Sequence, residues 1–116
     1  MTRSQPRWSV RLTSAAISDL EEIGRWTEDR FGEPQRDAYA ELIAAALKTL
    51  RSGPNVPGTR PLLHHVEGLM RQHIARHGRK GRHILIFRVI NTERREIEVV
   101  RILHDSMDLA RHLPKE

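Results

Sequence analysis

The chain has no cysteine. That excludes disulfide frameworks, thiolate metal sites and thiol nucleophiles. Aromatic residues are scarce, at 4% of 116 residues: two Trp, one Tyr and two Phe. With 38% hydrophobic residues, the core must be thin and mainly aliphatic. No apolar run approaches the ~18 residues that a membrane-spanning helix needs. Met1 to Arg7 is polar and basic with no apolar core behind it, which argues against a secretory signal. A cytoplasmic protein is expected. There is no Gly-x-Ser-x-Gly elbow and no phosphate-binding glycine loop, so neither chemistry is indicated. No repeat, low-complexity tract or linker divides the chain, and its length suits a single domain, 1–116.

What the chain does have is charge, unevenly placed. The formal net charge is +5. Ser14 to Ser52 carries five basic and eight acidic residues, a net of −3. Leu69 to His104 carries nine basic and three acidic residues, a net of +6. An anionic partner is therefore expected on the C-terminal half.

Trp8, Val10 and Leu12 alternate with polar neighbours, predicting a short first strand. Thr13 or Ser14 then caps a helix over about 15–30. Its expected apolar stripe is Ile17, Leu20, Gly24 and Phe31, flanked by Ala16, Ile23 and Thr27. Gly32 ends it, and Pro34 suits the first turn of a second helix, the two joined by a three-residue link. Tyr39, Leu42, Ile43, Ala46, Leu47 and Leu50 recur at helical spacing, the cleanest periodic signal in the chain. Prolines and glycines between Asn55 and Gly68 predict irregular structure there.

From Leu69 the period changes to two. Met70, Gln72 and Ile74 form a weak strand, and His77 to Arg82 reads as a basic turn. His83 to Ile90 is a strong strand, with Leu85, Phe87 and Val89 on one face and Ile84, Ile86, Arg88 and Ile90 on the other. A last strand runs from Glu96 through Leu103. The expected fold is α+β. An N-terminal strand precedes an antiparallel helical hairpin packed on a small antiparallel sheet (β-α-α-β-β-β), with a short C-terminal tail or helix. Arg88 and Arg101 are expected to point into the uncovered face.

At the end of that last strand a histidine, two aspartates and a serine arrive within five residues, His104 to Asp108. Polar groups placed directly after a buried strand are well held, which makes the stretch a candidate site. The plainer reading is that Asp105 and Ser106 cap a C-terminal helix. Metal binding is not expected. His64 and His65 point apart on extended chain, and the His73/His77 spacing unites ligands on a helix, not on a strand or turn. Acid–base work by His83, His104 or Asp105, beside Arg88 and Arg101, would suit phosphodiester cleavage. Against it, each histidine also reads as a solvated or capping residue. The meander has only Phe87 as an aromatic, assigned to the core, so single-stranded nucleic acid finds no stacking platform. A basic surface engaging a protein, or a protein–DNA assembly, fits better than sequence-specific DNA binding.

Several stretches resemble the ParE toxins of the RelE/ParE superfamily, part of type II toxin–antitoxin systems. They are Val10-Arg11-Leu12-Thr13 with Ala16, Asp19-Leu20-Glu21-Glu22-Ile23, Phe31-Gly32, Tyr39-x-x-x-Ile43, and Pro54 with Gly58-x-x-Pro61-Leu62. The strand His83 to Val89 is similar to the family's HxIxYRV strand, with Phe87 where tyrosine is frequent. The ending Arg101-Ile102-Leu103-His104-x-x-Met107-Asp108 with His112-Leu113 is similar to the family signature. The resemblance spans about Trp8 to Leu113.

The resemblance implies the same helical hairpin on a small sheet. It implies tight neutralisation by a ParD-like antitoxin, whose C-terminal segment folds along the toxin. Leu42 and Leu47 on the second helix, with Arg88 and Arg101 on the sheet, are the expected antitoxin contacts. It implies DNA gyrase as a target inhibited by binding, without cofactor, metal or catalysis. His104, Asp105, Met107, Asp108 and His112 are the expected target contacts. The RelE branch instead cleaves mRNA on the ribosome, using an arginine early in the central strand and a tyrosine beyond the last one. Here that strand position is Ile84, and no tyrosine follows Tyr39. If the chain were such a nuclease, His83, Arg101 and His104 would be its catalytic set.

Overall fold

The computed structural model describes residues 7–62, 68–76 and 79–104. Seven elements follow in order: β1 (Ser9–Leu12), α1 (Ser14–Phe31), α2 (Glu33–Leu50), β2 (Arg60–Pro61), β3 (Met70–Arg76), β4 (Arg79–Asn91) and β5 (Glu96–His104). The sheet order is β1-β5-β4-β3-β2. The β3-β4-β5 meander is antiparallel, as expected, and β1 joins its β5 edge in parallel. The fold is α+β, and no described helix is long and apolar enough to cross a membrane.

Thr13 caps α1 through its hydroxyl, which accepts from the Ala16 N–H at 3.0 Å. The buried line of α1 is Ala16, Asp19, Ile23 and Thr27. This differs from the expected stripe: Ile17 is 49% exposed and Phe31 58%. The reason lies upstream. The Thr13 N–H donates to the Val99 carbonyl, so the rotation of α1 is set by its junction with the sheet. Thr27 satisfies its buried hydroxyl by donating to the Ile23 carbonyl at 2.7 Å.

A single residue, Gly32, joins the helices, where three were expected. Its φ of +92° is a left-handed conformation that glycine adopts without strain. On α2 the expected stripe holds, with Ile43 and Leu50 buried and Tyr39, Leu42, Ala46 and Leu47 packed beside them.

The main core sits between the helices and one sheet face. Ala16, Ile23, Ile43 and Leu50 meet Ile74, Leu85, Phe87, Ile97, Val99 and Ile102. A second buried cluster joins Leu62, Leu69, Ile84, Ile86, Val100 and Leu103. β4 thus buries residues of both parities, and the face expected to lie partly open holds apolar side chains. Two further expectations change. β4 begins at Arg79, so Lys80 to Arg82 belong to a long hairpin arm and not to a turn. Arg60–Pro61, expected to be irregular, pairs with Met70 and Arg71; proline is tolerated because the strand is at the sheet edge.

Candidate functional site

In the β4/β5 ladder Ile86 pairs with Arg101, and Phe87 pairs with Val99. Val100 is therefore an extra residue, a β-bulge, and it shifts the side-chain phase of β5 by one. Before the bulge Ile97 and Val99 face the helices; after it Ile102 does. His104 follows Ile102 in phase and is the cross-strand partner of His83.

A bulge leaves backbone polar groups without ladder partners. Here the start of α1 supplies them. The Thr13 hydroxyl donates to the Val100 carbonyl at 2.7 Å. The Asp19 carboxylate accepts from the Ile102 N–H at 2.9 Å. It also accepts two bonds from the Arg101 guanidinium, each 2.8 Å. The Arg101 pKa is raised above its ordinary value, first by this hydrogen bonding and then by the charge of Asp19, against the lowering effect of burial. The Asp19 side chain is only 9% exposed. The expectation that Arg101 points into the uncovered face is thus replaced by an ion pair with α1. Arg88 is exposed, and its guanidinium donates to its cross-strand partner Glu98 at 3.0 Å.

The phase shift assembles a small polar cluster at the end of the sheet. The Tyr39 hydroxyl and His83 Nδ1 are 2.6 Å apart. The His83 and His104 rings meet edge to face, with centroids 5.3 Å apart. Of the three residues named for a nuclease, His83 and His104 come together, while Arg101 is held by Asp19. Among the described residues, no three His, Asp or Glu side chains converge as metal ligands. His64, His65, His77, Asp105, Met107, Asp108 and His112 lie outside the described residues.

Two concavities adjoin this cluster. A cleft of about 510 Å³ opens between the hairpin tip and the start of β4, lined in part by Trp26, Phe31, Tyr39, Leu42, Arg82 and His83. A groove of about 280 Å³ runs between the helices past Leu20, Gly24, Tyr39, Ile43 and Leu47. Leu42 and Leu47 thus lie on accessible concave surface. Sequence reading missed Asp19, Tyr39, Trp26 and Phe31 as site residues. The clue for Asp19 was its spacing from Ala16 and Ile23, which puts it on their helix face.

The family model described as "ParE toxin of type II toxin-antitoxin system, parDE" matches residues 10–109. Toxin ParE1 of Mycobacterium tuberculosis is 32% identical over 110 residues, covering 88% of this chain and 94% of that protein. Toxin ParE1 of Caulobacter vibrioides is 28% identical over 103 residues, covering 89% and 95%. Among solved structures, a chromosomal ParDE TA system from P. aeruginosa superposes with a TM-score of 0.71 at 23% identity, covering 86% of this chain and 98% of that one. The RelBE2 toxin–antitoxin complex of Mycobacterium tuberculosis gives 0.60 at 20%, covering 90% and 98%. The latter two show a shared fold. The match over residues 10–109, with relatives covered almost end to end, establishes that the chain belongs to the ParE toxins of type II toxin–antitoxin systems.

Proposed function

We propose that this toxin acts in the cytoplasm by binding and inhibiting DNA gyrase, without catalysis or cofactor, and that a ParD-like antitoxin neutralises it. The observation that favours binding over cleavage is the ion pair of Arg101 with Asp19. The guanidinium best placed in sequence to stabilise a cleaving phosphate is engaged in holding the fold. The inter-helix groove at Leu47, with Leu42 on the wall of the adjoining cleft, suits apolar side chains of a segment that orders on binding. Arg88 supplies a cation on the sheet for an acidic part of the same segment. Target contacts are assigned to His104 and, beyond it, to Asp105, Met107, Asp108 and His112.

A gyrase supercoiling assay, run beside a ribosome-programmed mRNA cleavage assay, tests this. Lost supercoiling or trapped cleaved plasmid with intact mRNA is the expected outcome. Cut mRNA with unaffected gyrase would overturn the reading in favour of RelE-like endoribonuclease action. One observation keeps that second reading specific: His83 and His104 are in contact, with Tyr39 against His83. Two adjacent imidazoles are suited to acid–base work on a phosphodiester.

A further inference from the structure

Three of the chain's five aromatic side chains, Trp26, Phe31 and Tyr39, line the cleft at the hairpin tip; Trp26 and Phe31 are exposed, and Tyr39 packs at the edge of the core. Trp26 is 42% exposed and Phe31 58%, and their rings meet edge to face with centroids 5.9 Å apart. The Arg30 guanidinium sits over Trp26, 4.9 Å from its ring centroid. The facing wall is cationic and polar: Arg82 is exposed there, and His83 is held against Tyr39. Gln35 adds an amide, and no carboxylate is among the described lining residues. The volume, about 510 Å³, lies within the usual range of small-molecule sites.

We infer that this cleft binds a nucleoside phosphate, its base against the aromatic wall and its phosphate toward Arg82 and His83. Flat aromatic faces are suited to stacking a planar ring, and stacking tolerates every base. Arginine presents paired donors that match phosphate oxygens. The neighbouring inter-helix groove provides the contrast. Its wall is mostly aliphatic, as a peptide's leucines or valines would require. An aliphatic peptide anchor has no need of two exposed aromatic rings beside an arginine. The sheet alone had no aromatic platform; the hairpin brings one to it from a distance of some 50 residues in sequence. The inference does not depend on which target the toxin inhibits.

The test is binding to the full chain. The probes are adenosine 5′-monophosphate, adenosine, inorganic phosphate, and a short single-stranded RNA with or without a 5′-phosphate. Equilibrium dialysis uses the wild type. Fluorescence uses Trp8→Phe, which leaves Trp26 as the reporter. Saturable binding of the monophosphate is expected, with adenosine and phosphate each about tenfold weaker. Trp26→Ala and Arg82→Gln are each expected to weaken it about fivefold or more. Both positions are exposed, so circular dichroism should show the fold retained. Preference for the 5′-phosphorylated RNA assigns the site to a chain end; preference for the monophosphate assigns it to a free nucleotide. No saturation by about 10 mM, the range where non-specific ion binding takes over, would overturn the inference. So would equal binding by phosphate alone, or unchanged binding in both variants.

Discussion

Asp19 and Arg101 stand 82 residues apart in sequence, yet they share two 2.8 Å hydrogen bonds, and the same carboxylate accepts from the Ile102 N–H. One side chain on α1 therefore holds the β5 bulge in place. The bulge in turn decides which face His104 occupies. Asp19→Ala leaves a partly buried guanidinium and a buried N–H without this acceptor. A loss of about 3 kcal/mol is expected, measured by urea unfolding. Asp19→Asn keeps one acceptor oxygen and should cost less. The NMR resonances of His83 and His104 should shift in both variants, as the bulge relaxes.

The same pair has a defined pH behaviour. Asp19 raises the Arg101 pKa, so the folded value exceeds the unfolded one. The stabilisation is then fully present below the unfolded pKa and is lost only as pH climbs through the folded one. Both values lie far above neutrality. The stability gap between wild type and Arg101→Gln should therefore be constant from about pH 6 to about pH 10 in urea titrations. A gap that closes within that range would contradict the assignment.

Gly53 is buried with φ +116°, and a Cβ there would lie 3.1 Å from Trp8 Nε1. Gly53→Ala meets both strain and a close neighbour. It should cost about 1–3 kcal/mol and shift Trp8 fluorescence, read in thermal unfolding with emission spectra.

For the antitoxin, Leu42→Glu with Leu47→Glu should weaken binding about 30-fold or more, by placing one carboxylate in the cleft and one in the adjoining groove. Surface plasmon resonance with a ParD-like partner measures it. Arg88→Glu faces Glu98 across the strands, adding like-charge repulsion as well as removing a cation. Its effect is expected near tenfold and salt-dependent. Unchanged affinity would remove the sheet from the antitoxin surface.

Deleting Leu109 to Glu116 should abolish toxicity while the protein stays folded, monitored by growth arrest and circular dichroism. Toxicity that survives the deletion would remove His112 and the rest of that segment from the target contacts.

Much of this architecture was legible in advance, and the failures have physical causes. The α2 stripe was readable because its apolar residues repeat without interruption. The α1 face was misread because two of its four buried positions, Asp19 and Thr27, are polar: Asp19 dropped out of the apolar pattern, and Ala16, Ile23 and Thr27 were set at its flank. The bulge hid in plain view: Val99-Val100 and Ile102-Leu103 are adjacent apolar pairs, which a strictly alternating strand would not contain. Reading the alternation straight through placed Arg101 on the uncovered face. The β3–β4 arm was mistaken for a turn because its lysine, arginines and glycine have loop-like composition. The cleft was invisible because its walls come from the hairpin tip and from β4, which no local pattern connects.

The parallel pairing of β1 with β5 joins Ser9 to Glu96 and Leu12 to Val99. Among the described residues, the first strand made by the ribosome is thus matched to the last. α1 and α2, linked by one glycine, can pair while the chain is still being synthesised, and β3 and β4 can then meet α2, but α1 lacks its main strand partner until β5 emerges. Closing so long a loop comes late and slowly in folding. A nascent chain, or one terminated before β5, therefore lacks the clamp, the bulge and the His83–His104 contact together. Synthesis itself delays the toxin, since no chain lacking β5 carries these three features.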